Sequence, residues 1–317
     1  MRLCALLLTT CGCGAVAVQH EAGEGAAGDG PAVATDGARD GRAEEPVAPD
    51  GAGAGRCGPV ARAGRQEVHC GEVRFVVTSP GACPEGGCGL VLDLHGYGMT
   101  AEDEEAHTRL AALGVPRGYV VVQPSAPGWP SSWERPERFD LHPHDATVWA
   151  FVEASVVHLG IAPSRVHVVG FSQGALVAFR LLAAHAADLA SLVAVAGADA
   201  LDRLPALPVP VLYAHGRLDR VVPYALMGAV EAAIAAAWSL GPAEVAPSGP
   251  ASSFVVRRTM AGKTVELLSH DLVVDLAGPL GGHCWPGPAA PLPYRCGGGA
   301  QPDLTLLALD RFDALGR

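Results

Sequence analysis

Residues 166–175 read Val-His-Val-Val-Gly-Phe-Ser-Gln-Gly-Ala, which is a short apolar run, the pattern Gly-x-Ser-x-Gly and the start of a helix-like segment. In such a strand–turn–helix segment the chain reverses sharply at the serine, and glycines flank it because side chains there would collide with the opposite limb. The turn lifts the Ser172 hydroxyl above a sheet at a helix N-terminus, where developing negative charge is stabilised. We therefore predict that Ser172 is a nucleophile; the alternative is a serine that only completes a turn.

A serine hydroxyl is a poor nucleophile until a base takes its proton, and an acid usually orients that base. On scaffolds with this turn the acid and then the histidine follow the serine along the chain. Asp219 lies a few residues past the predicted strand 211–214, at the edge of the sheet where the serine turn also lies. We predict that Asp219 is the orienting acid, although it could instead cap the next helix. The rival carboxylates fit this position less well and are Asp202, Asp271 and Asp275.

The predicted base is His283, which stands in the segment Gly281-Gly282-His283-Cys284-Trp285-Pro286. A lone histidine is more often structural than catalytic. Here the chain order, the position after the last predicted strand and the preceding glycines favour the catalytic interpretation.

An acyl-transfer site of this kind also needs backbone N–H groups aimed at the developing oxyanion. One donor is expected from Gln173, the residue directly after the nucleophile. The other is expected from the loop His95-Gly96-Tyr97-Gly98, which follows an early predicted strand, and we assign it to the Tyr97 amide. The side chain of His95 is interpreted as structural.

Strand-like and helix-like runs alternate along the chain, which predicts an α/β fold with a mostly parallel sheet and helices on both faces. The predicted strands are 72–78, 90–94, 119–122, 166–169, 192–195 and 211–214, with a hairpin and a last strand within 254–275. The predicted helices are 101–113, 146–159, 175–185, 223–240 and 304–315. Pro124 is expected to end the third of these strands.

The formal net charge is −11, which argues against nucleic acid or an anionic membrane surface as the partner. The chain has no stretch of about 18 uncharged apolar residues, so the sequence predicts no membrane-spanning helix. A small or polymeric neutral substrate suits this charge balance better. Composition leaves the oligomeric state open.

The first 55 residues are predicted to lie outside the fold. Residues 1–18 resemble an export signal, with one arginine and a short apolar run. Ala15-Val16-Ala17 suits ordinary signal peptidase, whereas Cys11 or Cys13 would carry a lipid in a lipoprotein; a cytosolic leader is the third interpretation. Residues 19–55 form a Gly-, Ala- and acid-rich tether, and residues 56–317 form one catalytic domain. The predicted location is extracellular or periplasmic, with an outer-membrane lipoprotein as the alternative.

Six cysteines follow the leader and fall into three local pairs. An even number of cysteines in an exported chain predicts disulfides. The bridges expected from this local pairing are Cys57–Cys70, Cys83–Cys88 and Cys284–Cys296, although six cysteines allow fifteen pairings. A zinc site is the rival interpretation, and it is weak because the chain lacks a CxxC pair.

Four segments appear in the order seen in polyhydroxybutyrate depolymerase-like esterases, a group close to feruloyl and acetylxylan esterases. They are Leu94-His95-Gly96-Tyr97-Gly98, Gly170-Phe171-Ser172-Gln173-Gly174, His215-Gly216-Arg217-Leu218-Asp219 with Val222-Pro223-Tyr224, and Gly282-His283-Cys284-Trp285-Pro286-Gly287. The resemblance runs from about Cys70 to the end, and Trp238 is similar too. It implies an α/β-hydrolase fold and a secreted serine esterase without a metal or organic cofactor. Cys284 and the region 243–262 depart from the pattern, which puts polymer hydrolysis in doubt more than ester hydrolysis.

Tryptophans are the candidate substrate-binding residues. Trp133 and Trp285, with Trp129, could line an acyl or feruloyl pocket, or they could simply be core residues. A carboxylesterase or acyl-thioesterase of the phospholipase-like group also shows Gly-Phe-Ser-Gln-Gly. The Trp-Pro-Gly after His283 and the separation of 64 positions from Asp219 to His283 argue against that group. A serine peptidase and a non-catalytic binding protein are further alternatives.

Overall fold

A ten-stranded sheet forms the centre of the described part of the chain. The computed structural model describes residues 57–59, 61–85, 87–134, 142–247, 254–260, 263–274, 278–287, 296 and 303–315. The predicted export segment 1–18 and tether 19–55 lie outside these residues and stay predictions, as does Asp275.

The strands are β1 Gly64–Cys70, β2 Val73–Ser79, β3 Cys88–Leu94, β4 Tyr119–Ser125, β5 Ile161–Phe171, β6 Ser191–Val195, β7 Val211–Gly216, β8 Glu244–Pro247, β9 Phe254–Met260 and β10 Lys263–His270. The α-helices are α1 Ala101–Thr108, α2 Leu110–Gly114, α3 Asp145–Leu159, α4 Gln173–His185, α5 Ala225–Trp238 and α6 Leu304–Leu315. Short 3₁₀ turns occupy Val115–Arg117, Ala186–Asp188 and Leu201–Arg203.

The strand order is β1-β2-β4-β3-β5-β6-β7-β10-β9-β8. The six strands from β4 to β10 in this order are parallel, and antiparallel pairs extend both edges. Apolar residues of α3, α4 and α5 pack on one face of the sheet, and those of α2 and α6 pack on the other. The α/β-hydrolase fold is therefore confirmed. None of the described helices is long and apolar enough to cross a membrane.

Two edge strands were not predicted from the sequence, because neither has an apolar alternation. β1 is largely exposed and polar, and β8 is short and contains a proline. The predicted end of β4 before Pro124 was wrong. Pairing with β3 ends at Val122, so beyond that point β4 has only β2 as a neighbour and tolerates a residue without an N–H.

The predicted helix 101–113 is broken at Arg109, which has a φ of 56°. The Arg109 amide donates to the Glu105 carbonyl at 2.7 Å and ends α1, while its guanidinium pairs with Asp303 just before α6. The ion pair with a distant segment is a tertiary interaction that local helix propensity does not contain.

The three predicted disulfides are confirmed as Cys57–Cys70, Cys83–Cys88 and Cys284–Cys296. The zinc interpretation fails for these cysteines because all six are oxidised. The last bridge lies directly after His283 and ties that loop to Cys296, whose amide also donates to the Trp285 carbonyl at 3.1 Å.

The carboxyl groups of Asp93, near the end of β3, and of Glu104, on α1, are both fully buried. Asp93 on β3 accepts hydrogen bonds from Thr108 Oγ1 at 2.7 Å and from Gln123 Nε2 at 2.9 Å. Burial raises the pKa of Asp93 to about 7. Burial, and next the charge of Asp93, raise the pKa of Glu104 well above its ordinary value. The pair is therefore at least partly protonated in the folded protein at neutral pH.

We predict that Asp93→Asn stabilises the protein more at pH 8 than at pH 5. The folded pKa of Asp93 lies above the unfolded value of about 3.9, so its stabilising protonated form is lost as pH rises through about 7. The asparagine keeps an acceptor for Thr108 and Gln123 without titrating. Urea unfolding at both pH values should show a gain that grows by about 3 kcal/mol between them. The exposed Asp202→Asn is the control, and a gain independent of pH would refute the prediction.

Candidate active site

Ser172 occupies the turn between β5 and α4 in a backbone conformation that L-residues rarely adopt, with φ 54° and ψ −117°. Its amide donates to the Val195 carbonyl of the neighbouring strand at 2.8 Å, which fixes the turn to the sheet. A Cβ at Gly174 would lie 2.0 Å from the Leu94 carbonyl oxygen, so only glycine allows α4 to begin against the end of β3. The predicted strand–turn–helix therefore has the sharp geometry expected for an exposed nucleophile.

Asp219 and His283 reach this serine from neighbouring strands. Because β7 and β10 are parallel partners, their carboxyl ends meet at one edge of the sheet, and the loops that follow them carry Asp219 and His283. His283 Nε2 lies 2.9 Å from Ser172 Oγ, and His283 Nδ1 lies 2.8 Å from Asp219 Oδ2. The structure thus brings together three side chains that are far apart in the sequence.

Backbone contacts hold the turn that carries Asp219 against the loop that carries His283, which we call the histidine loop. A Cβ at Gly216 would lie 2.3 Å from the Gly282 carbonyl oxygen. The Gly282 amide donates to the Leu218 carbonyl at 2.8 Å, and Asp219 forms a β-bridge with Gly281. The side-chain hydrogen bond between Asp219 and His283 is therefore supported by the main chain on both sides.

The Asp219 side chain is buried, and hydrogen bonds from protein groups surround its carboxylate. Its Oδ1 accepts from the Val221 and Val222 amides, each at 2.8 Å. Burial alone would raise the pKa of Asp219, but hydrogen bonds from His215 and His283 outweigh it and hold the pKa below the ordinary value. A carboxylate can only accept, so His283 donates through Nδ1 and leaves Nε2 free to accept the serine proton.

His215 also contacts Asp219, and we had not predicted a role for it from the sequence. It is fully buried, and its Nε2 lies 3.3 Å from Asp219 Oδ2 and 3.1 Å from the Val222 carbonyl oxygen. Its Nδ1 lies 3.0 Å from the Tyr213 hydroxyl. The signal that could have identified it is its spacing of four residues before Asp219, directly after a buried strand.

The two predicted oxyanion donors lie on the segments expected for them. Gln173 is the first residue of α4, where backbone N–H groups have no acceptor within the helix. The loop that carries Tyr97 packs closely against Ser172. A Cβ added to Gly96 of this loop would lie only 3.2 Å from Ser172 Cβ. These placements are compatible with an oxyanion site beside Ser172, and the roles of both amides remain proposals.

The predicted substrate-binding tryptophans lie inside the protein. Trp133 has no exposed surface and donates its indole N–H to the His95 carbonyl at 2.9 Å. Trp285 is 1% exposed and donates to Thr305 Oγ1 at 3.1 Å. Neither ring offers a surface to a substrate in this structure, so their placement favours the core interpretation. Trp129, by contrast, is 90% exposed.

Few large apolar side chains are exposed in the described part of the chain, and three of them lie on loops next to the site. Tyr97 is on the oxyanion loop, Leu218 precedes Asp219, and Trp129 is on the loop after β4. The backbone of this last loop meets the oxyanion loop, since the Gly98 amide donates to the Ser131 carbonyl at 2.9 Å. The loops after β3, β4 and β7 therefore each expose an apolar side chain at this edge of the sheet.

Among the described residues, no cluster of His, Cys, Asp or Glu could hold a metal ion. The hydrogen-bonded set of Ser172, His283 and Asp219 can transfer a proton from the serine to the histidine while Asp219 stabilises the imidazolium. This is the chemistry of covalent acyl transfer.

Comparison with known proteins connects this geometry with esterases. A family profile described as Phospholipase/Carboxylesterase matches residues 137–255, which include Ser172 and Asp219 but not His283. The candidate esterase NocK of Nocardia uniformis subsp. tsuyamanensis is 34% identical over 203 residues, 57% of this chain and 58% of that protein. The bifunctional acetylxylan esterase/xylanase XynS20E of Neocallimastix patriciarum is 26% identical over 138 residues, 43% of this chain and 20% of that protein.

Among solved structures, an acetyl xylan esterase from Aspergillus awamori superposes with a TM-score of 0.51 at 13% identity. The match covers 65% of this chain and 93% of that one, and it supports the fold. The chain spans 58% and 20% of the two curated relatives, which leaves their activities as hypotheses for this protein.

We predict that Asp219→Asn slows the labelling of Ser172 by a fluorophosphonate probe by about 10³-fold or more. The asparagine oxygen would stay with the Val221 and Val222 amides, so its NH₂ group would face His283 Nδ1. The histidine would then carry its proton on Nε2 and could not accept the serine proton. Labelling rates followed by mass spectrometry test this.

The matched control for that experiment is Asp271→Asn. Asp271 is a rival acid from the same region, and it pairs with Arg217 at 2.6 Å instead of with His283. Labelling of Asp219→Asn within a few-fold of the wild-type rate would exclude Asp219 as the orienting acid.

Proposed function

We propose that this protein is a serine hydrolase that cleaves carboxylic esters through an acyl-serine intermediate. The observation that carries the proposal is the continuous hydrogen-bonded chain from Ser172 Oγ to His283 at 2.9 Å and from His283 to Asp219 at 2.8 Å. The esterases among its relatives support the choice of ester bonds over other acyl compounds.

In the proposed reaction Ser172 Oγ attacks the ester carbonyl carbon while its proton moves to His283 Nε2. The carbonyl oxygen becomes an alkoxide that accepts hydrogen bonds from the Gln173 and Tyr97 amides. The bond to the leaving alcohol then breaks, and His283 donates the proton to that alcohol. Water, activated by His283, attacks the acyl-serine by the reverse sequence and releases the acid.

For the substrate we propose neutral esters, either hydroxyalkanoate oligomers or feruloyl and acetyl esters of polysaccharide. The segment Gly282-His283-Cys284-Trp285-Pro286-Gly287 supports this choice through its resemblance to the depolymerase-like and feruloyl esterases. The relative named as an acetylxylan esterase/xylanase supports the polysaccharide alternative. Tyr97 and Trp129 expose apolar rings on the loops after β3 and β4, at the same edge of the sheet as Ser172, which suits an uncharged substrate.

The second candidate is a carboxylesterase or acyl-thioesterase of the phospholipase-like group. The match of residues 137–255 to the Phospholipase/Carboxylesterase profile favours it. The two candidates share the same three catalytic residues and differ in the acyl and leaving groups that they accept, so turnover of chosen substrates separates them.

We further propose that the protein works outside the cytoplasm. Its three disulfide bridges support this, because such bonds persist mainly in oxidising compartments.

Turnover of three substrates by the oxidised full chain tests the proposed function. The substrates are soluble 3-hydroxybutyrate oligomers, methyl ferulate and a long-chain acyl thioester, and Ser172→Ala is the control. We expect kcat/KM to be highest on one of the two esters and to fall by about 10⁴-fold or more in Ser172→Ala. Preference for the thioester would select the second candidate. If Ser172→Ala were as active as the wild type, the assignment of Ser172 as the nucleophile would be refuted.

We predict that Trp129→Ala lowers kcat/KM for methyl ferulate about tenfold and leaves methyl acetate within twofold. The reason is that the exposed indole can stack on the feruloyl ring, whereas the acetyl ester has no ring to contact it. Steady-state kinetics on both esters measure the difference. Val157→Ala, at an 83% exposed apolar residue on α3, is the control. An equal loss on both esters would mean that Trp129 does not select the acyl group.

A further inference from the structure

The loop after β4 is attached to the loop that carries Tyr97. We call residues 126–134 the clamp loop. Its Trp133 indole N–H donates to the His95 carbonyl at 2.9 Å, and its Ala126 amide donates to His95 Nε2 at 2.9 Å. The Ser131 carbonyl oxygen accepts a hydrogen bond from the Gly98 amide at 2.9 Å. The clamp loop thus holds residues on both sides of the Tyr97 amide.

The His95 ring can serve as an acceptor in this arrangement because it is neutral. It is fully buried, and burial lowers its pKa to about 4. Its Nδ1 donates to the Gly96 carbonyl at 2.7 Å, which leaves Nε2 to accept from Ala126. Both ring nitrogens are therefore used to fix the loop.

The same clamp loop is attached to the residue after the nucleophile. The side-chain oxygen of Gln173 accepts the Trp133 backbone amide at 3.0 Å. The side-chain nitrogen of Gln173 donates to Ser132 Oγ at 3.0 Å. Trp133 is therefore hydrogen-bonded to both segments of the proposed oxyanion site, through its indole on one side and its amide on the other.

A buried arginine fixes the end of the clamp loop to α4. Arg180 is 5% exposed and lies within 3.4 Å of Glu134, the residue after Trp133. It also pairs with Asp145 at 2.6 Å and with Asp199 at 3.1 Å. Buried charges with several partners resist displacement, because each broken contact leaves an uncompensated charge.

We infer that Trp133 and the side chain of Gln173 are positioning residues that set the distance between the Tyr97 and Gln173 amides. This inference rests on the proposed function, and it gives Trp133 a role different from the substrate contact expected from the sequence. Neither side chain touches the reacting atoms; both act through the backbone of the segments they join. Oxyanion donors stabilise the transition state only at about 2.7–3.1 Å, and an error of about 1 Å can cost about 100-fold.

The first test is Trp133→Phe, which keeps an aromatic ring and removes the N–H that reaches His95. The control is Trp238→Phe, because Trp238 is also buried and also donates its indole N–H to a backbone carbonyl, that of Pro205, at 2.7 Å. Fluorophosphonate titration gives the concentration of intact sites, so that kcat refers to folded protein only. Inhibition by a trifluoromethyl ketone, whose adduct with Ser172 places an oxyanion in the site, reports on the two amides directly.

We expect Trp133→Phe to lower kcat between tenfold and about 100-fold, with KM within threefold, and to weaken the trifluoromethyl ketone by a similar factor. Trp238→Phe should leave kcat and the inhibition constant within twofold per intact site. If the two variants behave alike per intact site, Trp133 contributes only to stability and the inference is wrong. If wild-type protein hydrolyses no ester, the proposed function fails and the inference falls with it.

Gln173→Met provides the second test, since it keeps the backbone amide and removes the side-chain contacts with Ser132 and Trp133. It should reduce kcat in the same way as Trp133→Phe. Because both side chains act on one loop, the double variant should lose less than the product of the two single losses. If the double variant lost the full product of the two single losses in kcat, the two side chains would act independently and the inference would be contradicted, even if each single variant were slow.

Discussion

The close approach of helix α4 to the end of strand β3 is the constraint on which this site depends. Gly174 lies against the Leu94 carbonyl so closely that no side chain fits, and this contact places the loop from His95 to Gly98 beside Ser172. One backbone contact therefore sets two features together, the turn at Ser172 and the segment proposed to bind the oxyanion. The strained conformation of Ser172 follows from the same geometry, and the hydrogen bond from its amide to Val195 holds it in place.

A second level of organisation comes from buried polar groups that are satisfied by more than one partner. Asp219 accepts from two amides and from His283, and Arg180 binds three carboxylates. Removing one partner from such a network leaves a buried group unsatisfied, so each network has one favoured geometry. One network contains Asp219 and His283, and the other joins α4 to Glu134 at the end of the clamp loop.

The sequence was sufficient to predict which residues meet at the sheet edge, because that arrangement depends on local pattern and chain order. The turn at Ser172, the positions of Asp219 and His283 and the disulfide pairing all follow from neighbouring residues or from strand order. The placement of Trp133 and Trp285 could not be predicted, since a tryptophan suits a core and a binding surface equally well and only tertiary packing decides. The same limit applies to Arg109, whose left-handed conformation accompanies an ion pair with Asp303.

The match to the family profile ends at residue 255, before His283. After that residue, two hydrogen bonds tie the loop with His283 to the start of α6, from the Trp285 indole to Thr305 and from the Leu304 amide to the Pro286 carbonyl. The Cys284–Cys296 bridge ties the same loop to Cys296. The histidine is thus held by a covalent link and by a distant helix as well as by its hydrogen bonds to Asp219 and Ser172. A loop anchored in this way can change its outer residues without moving His283. The position of His283 therefore depends on contacts that the Gly-x-Ser-x-Gly motif does not contain.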